Sequence, residues 1–348
     1  MAAYISFQPS DYFNTLLYTG NGASGNAQTG VGFQPDMIWI KNRNGTLPWG
    51  QFSAPRGIGK ILQSNTNSGE LTDENSIESF DADGFTIGTD ANYNTNTSTY
   101  LSWNWKGGTT TGITTDGNTT ITPTAYSFNQ TSGFSVVKYT GNLTSGAKIA
   151  HGLGATPKAV IVKRLDSSGE WDQIWNIFAF SDTNYIRFTT GALASGTWAF
   201  NDTFPDAVNF TVGDNAETNS SGGCVAYCFA EKNGYCKIGQ YEGSGNANGP
   251  FSYTGFRPAM LWIKQYYDST QNWWSFDNKR LGYNPDNDGQ NINLSVDDET
   301  GDKIDFLSNG FKLTSTDAYT NQNGTKMLFI AFAELPFVSS NSKPTTAR

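Results

Sequence analysis

One arrangement of residues occurs three times along the 348-residue chain at nearly fixed spacing, and this limits the fold more than any other feature. A repeat of this kind means that each copy has the same apolar surface to bury. The copies open with Leu17-Tyr18-Thr19-Gly20, Lys138-Tyr139-Thr140-Gly141 and Gln240-Tyr241-Glu242-Gly243. A Gly-x-x-Pro element follows each: Gly32 to Pro35, Gly154 to Pro157 and Gly255 to Pro258, with opening-Gly to Pro separations of 15, 16 and 15. Each Pro leads an apolar stretch that ends in Lys six residues later, at Lys41, Lys163 and Lys264, and a Trp comes next, at Trp49, Trp171 and Trp273.

Each copy closes with two further stretches. The first are Asp83 to Ile87, Val208 to Val212 and Asn309 to Leu313; the second are Tyr100 to Trp105, Cys224 to Phe229 and Met327 to Phe332. From Phe85, Phe210 and Phe311 to the last aromatic of each copy the distances are 20, 19 and 21 residues. Tyr100 to Trp105 alternates large residues with small or polar ones, the period of a half-buried strand. Met327 to Ala333 is apolar throughout and is expected to be covered on both faces. No stretch above ten residues carries apolar positions at helical spacing. With 38 Gly, 14% aromatic and only 15% charged residues, the composition favours strands and turns over helices. The expectation is an all-β protein of three tandem antiparallel β-sandwich units, lectin-like or jelly-roll-like.

The boundaries are expected at residues 1–108 for the first unit, 125–233 for the second and 234–348 for the third with its C-terminal tail. Residues 109–124, rich in Thr and Gly, read as a linker, so the first unit is expected to sit more loosely than the others. Asn233-Gly234, a favoured two-residue hairpin dipeptide, is expected to join the second and third units through a continuous hairpin. Cys224, Cys228 and Cys236 form a poor disulfide framework, because Cys224 and Cys228 lie about 13 Å apart on one strand face at roughly 3.3 Å per residue. They read as free, buried thiols.

Composition also bounds function. The net charge of −9 and the lack of any basic run argue against nucleic acid as a partner. No apolar run reaches the roughly 18 residues that span a membrane, so no membrane insertion is expected. Met1 to Ser6 lacks the features of a secretory signal, and the chain reads as made in cytoplasm. His151, the single His, stands within the repeated scaffold and reads as structural, which leaves no Cys/His metal site. Asp81-Ala82-Asp83-Gly84 and Asp286-Asn287-Asp288-Gly289 resemble the start of calcium loops but lack the closing Glu, and read as turns. No nucleophile motif or phosphate-cradling loop stands out, so no catalytic residue, metal or cofactor is expected.

The recurring tryptophans read as core. Ligand candidates are sought in the polar loops before the closing strands: Ala91 to Asn96, Asn215 to Gly222 and Tyr319 to Asn323. Tyr93, Asn94, Asn96, Tyr319, Asn321 and Asn323 are taken as the residues able to hydrogen-bond a glycan of little charge.

Phe7-Gln8-Pro9-Ser10-Asp11-Tyr12-Phe13, Gly32-Phe33-Gln34-Pro35-Asp36, His151-Gly152-Leu153-Gly154, Tyr227-Cys228-Phe229-Ala230-Glu231 and Phe306 to Lys312 resemble an uncharacterised β-rich domain. That domain is repeated in virion and tail-fibre proteins of tailed bacteriophages, many of them marine. The likeness runs from about Phe7 to Phe337. It implies a non-enzymatic virion structural protein, synthesised in the host cytoplasm, homo-oligomeric and assembled with other tail or capsid proteins. The leading expectation is a receptor-binding fibre or tip subunit that recognises host surface glycan. A capsid or tail decoration protein without ligand is the second expectation, and a polysaccharide depolymerase the third. A shaft of coiled-coil heptads or collagen-like triplets, usual in long fibres, is absent from this sequence.

Overall fold

The computed structural model describes residues 8–335 except 179, 189–190, 268–270, 281–283 and 285–287. The described chain is built of antiparallel sheets with only one-turn helices between them, so the all-β expectation holds. Three large sheets share one strand order. An opening strand lies beside the closing strand, which lies beside the proline-led strand, which lies beside the tryptophan strand.

In the first sheet these are Phe13–Thr19, Thr99–Trp105, Met37–Asn42 and Gly50–Ser53. In the second they are Phe134–Tyr139, Cys224–Phe229, Ala159–Arg164 and Trp171–Trp175. Ala125–Asn129 extends that sheet on the opening side, and Asn184–Arg187 with Ala194–Ser195 extends it on the other. In the third they are Cys236–Glu242, Lys326–Leu335, Arg257–Gln265 and Trp273–Asp277. The registers agree as well: Phe13↔Trp105↔Met37, Phe134↔Phe229↔Ala159 and Cys236↔Phe332↔Met260.

Every closing strand is therefore paired on both edges, and its side chains alternate between two buried faces. One face of each large sheet is covered by a small sheet. Tyr18, Ile38, Ile40, Phe85, Ile87 and Tyr100 fill this space in the first third, and Tyr241, Leu261, Trp274, Phe311 and Phe329 fill it in the last. The opposite faces of all three large sheets meet in a single aromatic core. Trp105, Phe229 and Phe332, the last aromatics of the closing strands, approach one another there at ring distances of 6.5, 5.6 and 5.8 Å. Trp39 meets Trp262 edge-on at 4.9 Å. Each such ring contributes about 1.5–3 kcal/mol by burial. In the third sheet both faces are lined by apolar residues, so Met327 to Ala333 shows no polar alternation. Thr99–Trp105 is buried on both faces as well, with Ser102 and Asn104 buried among its large residues, and is not the half-buried strand that its alternation suggests.

The indole N–H groups close the arrangement into a ring. Trp49 donates to the Asn291 carbonyl (2.8 Å), Trp171 to Gln63 (3.2 Å) and Trp273 to Arg187 (2.9 Å). Each third thus holds the backbone of another, and the first third is no looser than the rest, contrary to the expectation from the linker. Residues of that linker are themselves tied down. Thr109 bridges Phe128, and the Thr120 and Ile121 amides donate to the Lys148 carbonyl.

The continuous hairpin at Asn233-Gly234 does not form. Cys224–Phe229 and Cys236–Glu242 belong to different sheets, and a local turn closed by Lys232 and Cys236 redirects the chain between them. Only Gly234 has positive φ (+75°), whereas the expected hairpin turn needs both residues there. The three cysteines are free and buried. Burial pushes the thiols of Cys224 and Cys228 up to about 12, so they behave as apolar groups.

Candidate functional site

A short helix precedes each closing strand: Ala91–Asn94, Ala216–Asn219 and Ala318–Asn321. Each is capped by a side chain, Asp90, Asn215 or Asp317, that accepts from the amide two residues on. Each ends in an Asn that is fully buried. Asn94 Nδ2 donates to the Ala23 and Gly88 carbonyls, Asn219 to Thr144 and Gly213, and Asn321 to Asn246 and Ser315. Their Oδ1 atoms accept from the amides of Asn21, Asn142 and Ser244. The repeated tyrosines complete the lock, since Tyr18, Tyr139 and Tyr241 donate to the carbonyls of Tyr93, Thr218 and Thr320.

This corrects the choice of ligand residues. Asn94 and Asn321 are fixed by the repeat rather than free of it, and every polar atom of theirs is spent on the backbone. Tyr93 is also buried; its ring fills the space over Gly50, where a Cβ would stand 2.4 Å away. Asn96 and Asn323 are exposed just beyond the helices, beside Gly22 and Gly245. Tyr319 is 41% exposed, with its ring 5.8 Å from that of Trp274. The structure does not bring these six residues together: they divide between the first and last thirds.

Among the positions that differ between the thirds are the helix residue two before the buried Asn and the strand residue after the repeated Trp. In the first third these are Asn92 and Gly50, in the second Glu217 and Asp172, in the third Tyr319 and Trp274. The first of these corners is closed by Tyr93. The last is an aromatic shelf, with Lys303 Nζ 4.6 Å from the Trp274 ring and 3.6 Å from Asp317.

The middle corner carries the chemistry. Arg187 on the neighbouring strand donates to Asp172 (2.7 Å) and to Glu217 (2.8 Å). Its guanidinium stands 5.2 Å from the Tyr185 ring and 5.1 Å from that of Trp198. Asp172 is fully buried, and burial lifts its carboxyl to about 7 against the opposing pull of Arg187, with Glu217 adding to the rise. Glu170 is raised for the same first reason. Asp172 Oδ2 and Glu170 Oε2 are buried without a hydrogen-bond partner among the described residues. The corner thus combines buried carboxyl oxygens, a fixed cation and a partly exposed indole. Lys163 beneath it is scaffold. Like Lys41 and Lys264 it is buried and donates to loop carbonyls, and burial lowers Lys163 to about 8.

His151 is buried, with Nε2 3.1 Å from the Asp206 carbonyl and Nδ1 accepting from Leu153 N–H (3.2 Å); burial lowers it to about 4. It holds a loop, as its place in the repeat implies. Asp83 accepts from the amides of Gly30 and Gly32, and Asp81 from Ser79 and Thr86, which makes that motif a turn. Asp286 and Asn287 lie outside the described residues. Among the described residues no group of three or more His, Cys, Asp or Glu is placed to hold a metal ion, and no helix is long and apolar enough to cross a membrane.

A chain of antiparallel sheets closed around one aromatic core, with a variable corner on each third, is the class the fold defines. Residues 8–336 match the domain of unknown function DUF7483, and the chain belongs to that family. The match spans all three copies of the repeat as a single domain. No curated protein and no solved structure matches the chain.

Proposed function

We propose that the chain is a non-enzymatic virion structural protein of a tailed bacteriophage, a fibre or tip subunit that recognises host surface glycan. In this reading its three thirds are tandem β-sandwich units, bounded near residues 108, 125 and 233, and their corners are the recognition positions. The supporting observation is the contrast at those corners: one scaffold, fixed by identical Tyr and Asn bonds, presents Asn92, Glu217 and Tyr319 at the same place. Varied side chains on a rigid, repeated frame are what a binding module needs. Binding at one corner is weak, and multivalency in an assembled virion strengthens it.

The first measurement is gold labelling of intact virions with antibody against the chain, followed by glycan binding to the purified protein. Label on the tail tip or fibres together with saturable glycan binding supports the proposal. Label spread over the capsid without glycan binding favours a decoration protein instead.

One observation favours a second reading, polysaccharide cleavage. Burial holds the Asp172 carboxyl at about 7 next to Glu217, and carboxyl pairs with raised values are what acid–base cleavage of glycosides employs. Release of oligosaccharide from host envelope, abolished by Asp172→Asn, would establish it.

A further inference from the structure

The two acids of the middle corner come as a pair. Asp172 and Glu217 stand where the first third has Gly50 and Asn92 and the last has Trp274 and Tyr319. Lys163, by contrast, recurs as Lys41 and Lys264, so the acids are an addition to a common scaffold. Both carboxyls draw on one guanidinium: Arg187 Nε donates to Asp172 Oδ1 at 2.7 Å and Nη2 to Glu217 Oε2 at 2.8 Å. The two carboxyls also lie within hydrogen-bond reach of each other. Yet Asp172 Oδ2, on a residue with no solvent exposure, accepts from no group among the described residues. Carboxylates this close repel each other in a dry site, and a buried oxygen without a donor is costly. A single proton removes both costs.

The charges around the pair give the same count. Glu170 stands just before the strand Trp171–Trp175 that carries Asp172. On the neighbouring strand Ala159–Arg164, Lys163 acts on all three carboxyls, while Arg164 turns to Asp166 (2.8 Å). Asn184–Arg187 on the other side brings Tyr185 and Arg187, and the helix Ala216–Asn219 brings Glu217. The helix Thr197–Phe200 carries no charge, and burial keeps the Cys224 thiol neutral. Glu70, on the loop of the first third that reaches Lys163, is paired with Arg56 (3.0 Å). Three carboxyls therefore face two cations, and one added proton leaves the cluster neutral. Asp172 is fully buried and Glu170 only partly so, which places the proton on the Asp172 side.

We infer that Asp172 and Glu217 hold one proton between them and form a latch on the corner, closed while the proton is present and open once it leaves for solvent. In the closed form the proton joins the two carboxyls under Arg187, whose contacts with the Tyr185 and Trp198 rings complete the corner. In the open form Asp172, which has no exposure, keeps Arg187. Glu217, with 25% of its side chain exposed, swings toward water and gives up the Glu170 amide that donates to its Oε1 at 3.4 Å. The middle corner thereby presents different groups below and above neutrality. The latch is independent of what the corner binds, so the inference stands apart from glycan recognition.

The test follows the side-chain carboxyl carbons of the full chain by NMR, with labelled aspartate and glutamate, from about pH 5 to 9. The Asp172 and Glu217 carbons are expected to move together in one step near neutrality, and the Trp198 indole resonance to move with them. Glu217→Gln, shown by its melting curve to be folded, offers Asp172 an amide donor in place of a carboxyl. It is expected to lower the Asp172 step by about one pH unit or more, a tenfold loss of proton affinity. An Asp172 carbon that titrates alone, with a midpoint unmoved by Glu217→Gln, would show burial acting without a shared proton and overturns the proposal. So does a step on Glu170 in place of the pair, the lack of any step in this range, or an indole resonance that stays fixed through it.

Discussion

Asn219 shows how much one side chain carries in this fold. It is fully buried, accepts from the Asn142 amide, and donates to the carbonyls of Thr144 and Gly213. Asn219→Ala leaves these groups without partners in a dry site, at a cost of about 3 kcal/mol, because each stranded polar group costs roughly 1–3 kcal/mol. Denaturant unfolding measures this, and a loss below about 1 kcal/mol would show that the lock is dispensable. Asp172 makes a prediction of the opposite kind. Its carboxyl is held at about 7 by burial, against an ordinary value of 3.8. Between those values the folded chain keeps a proton that the unfolded chain has released, so this residue's contribution to stability falls as pH rises from about 4 to 7, and stays low above. Asp172→Asn removes that dependence while retaining an acceptor for Arg187. The variant is therefore expected to gain on the parent by an amount on the order of 2 kcal/mol between pH 4.5 and 8. Thermal melts at the two pH values decide it, and an unchanged gap between variant and parent would mean that Asp172 is ionised throughout.

At the scale of the elements, the repeat was legible because its residues do geometric work that few others can do. Gly20, Gly141 and Gly243 open the loop after each opening strand, and a Cβ there would come within 2.2–2.3 Å of backbone atoms of Thr95, Asn219 and Gln322. Gly141→Ala is accordingly expected to cost about 3 kcal/mol or more, because carbonyl groups inside a paired loop have no room to yield. A melting temperature unchanged by this substitution would show that the corner gives way easily. The same rigidity explains where reading the sequence went astray. Asn, Thr and Tyr in a loop look like ligand groups, yet Asn94 and Asn321 are spent on carbonyls more than 70 residues away, which no local pattern reveals. Asp172 was legible in principle, since the equivalent positions hold Gly50 and Trp274 and a lone acid among them stands out. What makes it a site, the meeting with Arg187 and Glu217, depends on strand pairing that sequence spacing does not specify. The linker misled for a similar reason. Thr- and Gly-rich composition marks a segment without its own core, but that segment is strapped along Lys148 and Phe128 by backbone bonds.

At the scale of the whole molecule, the shared aromatic core decides how the chain unfolds. Three separate sandwiches on linkers would melt as separate bodies, each with its own midpoint. Here each large sheet has one face against its own small sheet and the other against its neighbours, so releasing any third exposes Trp39, Trp105, Trp262, Phe229 and Phe332 together. The indole bonds run around a closed ring, from the first third to the last, from the second to the first and from the last to the second, so no third is terminal in the energetic sense. The expected calorimetric scan is therefore one transition, with calorimetric and van't Hoff enthalpies nearly equal. Trp171→Phe, which removes one ring bond and a little buried area, is expected to lower that transition as a whole, by about 1–2 kcal/mol. Two resolved transitions in the parent, or a variant in which only the second third melts early, would mean that the three sheets are neighbours rather than one cooperative body.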